Sequence, residues 1–154
     1  MKNIYRSFPV LIFFLLVISC TKTPKRPLEA FLPHDVAIQR ALQVTNVSYH
    51  LSLNLKETMP DYSGSVTLNF DLTKNGKPLE IDFSNGVIQS IAVNQQLTEN
   101  YEYNKFFISL PSISLKQGHN TVTIEFSHPY STTGFGLYRF KDPEDDQVFI
   151  YFLQ

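Results

Sequence analysis

The stretch VSYHLSLNL at residues 47–55 decides the fold class. Val47, Tyr49, Leu51, Leu53 and Leu55 alternate with Ser48, His50, Ser52 and Asn54. That period of two is what a strand with one apolar and one wet face requires, whereas a helix would return its apolar residues every three or four positions. The run therefore predicts a strand.

Moving downstream, Val66, Leu68, Phe70 and Leu72 alternate with Ser65, Thr67, Asn69 and Asp71. Lys74-Asn75-Gly76-Lys77-Pro78 then reads as a turn that predicts a hairpin into Leu79, Ile81 and Phe83. After Asn85-Gly86, residues 87–93, 106–110, 121–126 and 147–153 supply further short strands. Upstream, residues 35–42 predict one short helical turn capped by Asp35, with Val36, Ile38 and Ala41 on one face. No later stretch keeps a helical period for three turns. The expected class is all-β, an antiparallel sandwich or a saddle-shaped pair of sheets. The 13 phenylalanines and 8 tyrosines then read as core and cross-strand pairs rather than a ligand box.

A chain of 154 residues leaves room for one domain, and 43% hydrophobic with 18% charged residues is a globular composition. The net charge of −1 and scattered lysines and arginines give no basic stripe to neutralise a row of phosphates, so no nucleic-acid partner is expected.

The first residues, MKNIYRSFPVLIFFLLVISC, combine Lys2 and Arg6 with an apolar run at residues 10–18 that is about half the length of a bilayer span. Residues 1–19 thus predict a signal peptide. Its end, Val17-Ile18-Ser19-Cys20, resembles the lipobox of bacterial lipoproteins, in which the cysteine is lipidated and becomes the new N-terminus. Cys20 is the only cysteine, so no internal disulfide can form after export. Buried acyl chains would contribute ~0.8 kcal/mol per CH₂, and membrane lipid is the expected partner of Cys20. Thr21 offers no aspartate retention signal, which points to outer-membrane delivery. Pro24, Pro27 and Pro33 oppose regular structure, so residues 20–36 are expected to form a tether.

Catalytic motifs are absent from the sequence. There is no HExxH, GxSxG or P-loop. Of the four histidines, His34 falls in the tether, His50 on a wet strand face, and His119 and His128 beside turns. The acidic run Asp142-Pro143-Glu144-Asp145-Asp146 lacks EF-hand spacing and reads as a solvated turn. The residues thus assign no catalytic group, no metal ligand and no cofactor to this chain.

The segment Gly134-Phe135-Gly136-Leu137-Tyr138-Arg139-Phe140-Lys141-Asp142-Pro143, followed by Gln147-Val148-Phe149-Ile150-Tyr151-Phe152-Leu153-Gln154, resembles a signature of the aminopeptidase N family of zinc metallopeptidases, the gluzincin aminopeptidases. There it reads approximately G-x-G-L-(Y/H)-R-F-x-D-P, a polar turn, then a strand ending T-Q-F-E. Ala37 to Arg40 and the run from Val44 are similar to the A-x-x-R and V-x-x-V-S-Y-x-L-x-L pattern that opens the family's first domain. The resemblance implies a saddle-like N-terminal β-domain over residues 37–154. Such a domain packs on a catalytic domain and walls one side of its substrate cavity. It also implies that the zinc, the GxMEN loop and the HExxH helix lie outside this sequence, which is expected to be inactive by itself. Peptide would be a partner of the complete enzyme only. Gln154 matches the Gln of T-Q-F-E and is the one substrate-binding position carried over, while Leu153 replaces the usual Thr. Ending on the apolar run 148–153 reads as truncation. The alternatives are a stand-alone surface β-sandwich lipoprotein for binding or assembly and a lipocalin-like carrier.

Overall fold

The computed structural model describes residue 26 and residues 31–74, 76–134 and 136–153. The signal-peptide residues, Cys20 and Gln154 lie outside the described residues. A ten-residue helix, α1 (His34–Gln43), leads directly into strand β1 (Val44–Asn54). The helix is longer than the single turn expected, and His34 opens it rather than lying in a tether. Asp35 sits in its first turn, while Pro33 stands at the N-cap without a side-chain cap bond. Proline suits that position because it surrenders a donor that the first turn could not use.

The strands that follow are β2 (Asp61–Leu72), β3 (Leu79–Asp82), β4 (Val87–Val93), β5 (Gln96–Leu97), β6 (Glu102–Tyr103), β7 (Phe107–Leu110), β8 (Gly118–Pro129), β9 (Gly136–Lys141) and β10 (Val148–Leu153). They form an antiparallel five-stranded sheet in the order β1-β2-β8-β4-β5, a three-stranded sheet β3-β7-β6 and a β9-β10 hairpin. The all-β antiparallel expectation therefore holds.

The turn after β2 does not make a hairpin. β2 pairs with β1 and β8, while β3 pairs with β7 in the other sheet, so residues 73–78 carry the chain from one layer to the next. Leu79 is buried there in one cluster with Leu68, Phe70 and Leu72 of β2. The core lies between the two sheets. Leu68, Phe70 and Leu72 of β2, Ile91 and Val93 of β4, and Val122 and Ile124 of β8 meet Leu79, Ile108 and Leu110 from the smaller sheet.

Tight local chemistry fixes the layers. Asn94 and Gln95 both take positive φ between β4 and β5, the geometry of a two-residue hairpin turn. Asn94 also accepts a bond from the Thr121 N–H and donates to the Oδ1 of Asn120. Asn120 is fully buried, and its amide further accepts from the Lys116 N–H and donates to the Lys116 and Gly118 carbonyls. A buried amide satisfied on this scale joins the β4 turn to the start of β8.

Candidate functional site: an open apolar face on β1

In the ladder, residues directly opposite share a face. Tyr49 stands opposite Leu68 and Leu51 opposite Val66, so the apolar stripe of β1 points to the same side as the core. It is nevertheless open to solvent. Val47, Tyr49, Leu51, Leu53 and Leu55 are all exposed, Tyr49 to 69%. The sequence read β1 as a strand with one apolar and one wet face, and in the structure both faces meet solvent from residue 45 onward. β1 is the outermost strand of its sheet, and β3-β7-β6 covers β2, β8 and β4 without extending over it.

α1 covers only the beginning of the stripe. Between α1, β1 and β3 lies a groove of about 450 Å³, with Val47, Tyr49, Phe70 and Ile81 among its walls and Arg40 and Asp82 at its charged side. Arg40 holds α1 in place, donating to Asp82 at 2.9 Å and to the Glu80 carbonyl at 3.3 Å. This gives the arginine of the A-x-x-R pattern a structural task. Burial disfavours ionisation of Asp82, but hydrogen bonds from Arg40 and Arg26 outweigh it and hold the carboxyl below the usual aspartate value.

The hairpin of the second motif is pinned beyond the other end of β1. Arg139 donates through Nε to the Glu57 carbonyl in the β1–β2 connection. Tyr130, just after β8, meets the same connection by accepting from the Lys56 N–H at 2.9 Å. On one face of the hairpin, Tyr138 lies opposite Tyr151 and Phe140 opposite Phe149. Their neighbouring rings lie within 30° of parallel at 6.1–6.5 Å. Phe152, also exposed, stands opposite Leu137.

No group of three histidine, cysteine or acidic side chains comes together among the described residues. His119 approaches Asp71 at 3.4 Å, and both ring nitrogens of His128 sit against backbone carbonyls of Pro129 and Ser84. These side chains do not form a donor set for zinc. The acidic run is a turn whose carboxylates serve the backbone: Asp142 accepts from the Glu144 N–H, Asp145 from the Gln147 N–H, and Asp146 pairs with Lys141. Burial also raises the hydroxyl pKa of Tyr62, with Tyr130 adding to it, and that of Tyr103, whose hydroxyl donates to the Gly86 carbonyl.

Cys20 and Gln154, which the sequence singled out, lie outside the described residues. What sequence reasoning missed is Arg26, assigned to a tether yet buried to 4% exposure. Its isolation in a Pro-rich stretch carried no signal of that burial.

No family model matches the chain. Over 123 residues, 78% of its length, it is 31% identical to aminopeptidase N of Streptomyces lividans, of which it spans 14%. In fold it is similar to Legionella pneumophila aminopeptidase A in complex with aspartic acid, at a TM-score of 0.55 and 18% identity, covering 68% of this chain and 13% of that one. It is also similar to native yeast LTA4 hydrolase, at 0.55 and 16%, covering 70% and 18%. An M1 zinc metallopeptidase from Deinococcus radiodurans matches at 0.46 and 14%, covering 58% and 22%. Sequence and fold agree, and this chain carries an N-terminal β-domain of the aminopeptidase N family of zinc metallopeptidases.

Proposed function

We propose that this β-domain is the packing and cavity-wall part of an exported, lipid-anchored zinc aminopeptidase, and that it does not turn over substrate by itself. The observation that carries the reading is the open stripe from Val47 to Leu55, an apolar surface exposed on the core side of a sheet, with no second sheet over it among the described residues. Contiguous exposed apolar surface of this kind marks a contact area. In the complete enzyme the stripe would lie against the remainder of the protein, which carries the zinc. Bound there, zinc would supply a Lewis acid for hydrolysis at the N-terminus of a peptide.

Two further assignments belong to the same proposal. Gln154 would approach the first residue of the peptide, and acylated Cys20 would hold the protein on the membrane, on the outer-membrane side of export. The low share of the Streptomyces relative that is spanned, 14%, agrees with a division of labour in which chemistry sits elsewhere.

The test is hydrolysis of aminoacyl anilides. The chain alone is expected to match the blank. Grafted in place of the matching stretch of the Streptomyces relative, it is expected to support turnover. Hydrolysis by the isolated chain would refute the division of labour, and a folded, zinc-loaded graft without activity would favour a stand-alone binding module.

A further inference from the structure

Arg26 is separated from the helix by a proline-containing stretch, yet its side chain is only 2% exposed. Its guanidinium carbon lies 4.2 Å from the centre of the Phe107 ring. Nη1 donates to Asp82 at 2.5 Å and approaches Glu80 at 3.7 Å. Asp82 closes β3, Phe107 opens β7, and the two are register partners, so one end of the small sheet supplies both the carboxylate and the ring. A planar cation between an aromatic face and a carboxylate is a favourable arrangement for arginine.

Asp82 is shared. Arg40 from α1 reaches its second oxygen, so α1 and the segment before it converge on one side chain. The Nε of Arg26 is buried without a partner among the described residues, which costs free energy.

We propose that Glu80, Asp82 and Phe107 form a guanidinium-binding latch, filled in cis by Arg26, which clamps the N-terminal segment to the small sheet. The supposed tether is then not free along its length. Given the lipid anchor proposed above, on which this consequence rests, only residues 21–25 separate Cys20 from the clamped position, a reach of about 20 Å at full extension. With the latch open, the next fixed element after Cys20 would be α1 at His34, and the reach would grow to about 50 Å. The latch thus holds the domain close to the bilayer, with the Asp82 end of β3 leading.

Endoproteinase Lys-C tests the latch on the full chain in mild detergent. Lys22 and Lys25 lie in the same segment, but cleavage after Lys25 requires the protease to accept Arg26. The expected result is cutting after Lys25 roughly tenfold slower than after Lys22, with Arg26→Ala abolishing the difference. Asp82→Asn should do the same. Should that variant unfold the domain, rapid cutting at Lys56 and Lys116 would reveal it, and Arg26→Ala, which lies outside both sheets, would decide alone. Equal cutting at Lys22 and Lys25 in the unaltered chain, or protection that survives Arg26→Ala, would overturn the latch. Intact mass of the membrane fraction reports acylation of Cys20 separately, so loss of the anchor and loss of the latch are read by different measurements.

Discussion

Tyr49 and Leu68 face each other across the β1–β2 ladder, yet Leu68 is 5% exposed and Tyr49 69%. The protein's core ends between these two residues. One strand inward, apolar side chains meet a second sheet; one strand outward, the same face of the same sheet meets water.

That boundary separates substitutions that matter to stability from those that do not. Leu51→Ser should change stability by no more than about 0.5 kcal/mol, because it removes a contact the folded state barely has. Ile108→Ala, at a fully buried position, should cost about 2–5 kcal/mol. Urea unfolding of both variants provides the comparison.

Gly64 has a packing reason to be glycine. A Cβ there would lie 2.7 Å from the Ser52 carbonyl oxygen and 2.9 Å from both Leu53 and Phe126. Gly64→Ala must push backbone or ring aside and should destabilise by about 1–3 kcal/mol. A fall in the urea midpoint, larger than for an alanine at an exposed position of β2, is the expected reading.

Asn120 should be intolerant of truncation. Alanine there leaves the Lys116 and Gly118 carbonyls and the Lys116 N–H without their side-chain partner, at a total cost of about 1–3 kcal/mol. Hydrogen exchange at Lys116 and Thr121 should accelerate before the rest of the sheet, since both amides depend on this pair of asparagines.

Asp82 makes the α1 and Arg26 contacts acid-sensitive. Its carboxyl pKa is lower folded than unfolded, so its contribution is full above the unfolded aspartate value of about 3.9 and disappears as pH falls through the folded one. The charged groups around it are Arg26, Arg40 and Glu80. The stability gap between the unaltered chain and Asp82→Asn should therefore stay constant above about pH 4 and close below it. A gap independent of pH down to 2 would contradict the ion-pair account.

Much of this architecture is legible in the sequence because strand period is a local signal. Val66, Leu68, Phe70 and Leu72 announce β2, and the position of β4 is read to the residue. Two things are not local. Whether Leu79 returns beside β2 or crosses to a second sheet depends on what the rest of the chain places opposite, and a turn signal at residues 74–78 is the same in either case. Likewise, alternation in β1 specifies an apolar face but cannot say whether another layer covers it. The Asn94-Gln95 turn escaped notice because Gln is a poor marker of positive φ, and Arg26 because its partners lie more than fifty residues away.

The central claim is that the core-side face of β1 is an uncovered contact surface, and fluorescence of a hydrophobic dye with the folded chain addresses it most directly. Strong enhancement that falls sharply in the Tyr49→Ser, Leu51→Ser, Leu53→Ser variant, with the unfolding midpoint unchanged, is the predicted result. No enhancement in the unaltered chain, or enhancement indifferent to those three substitutions, would contradict it.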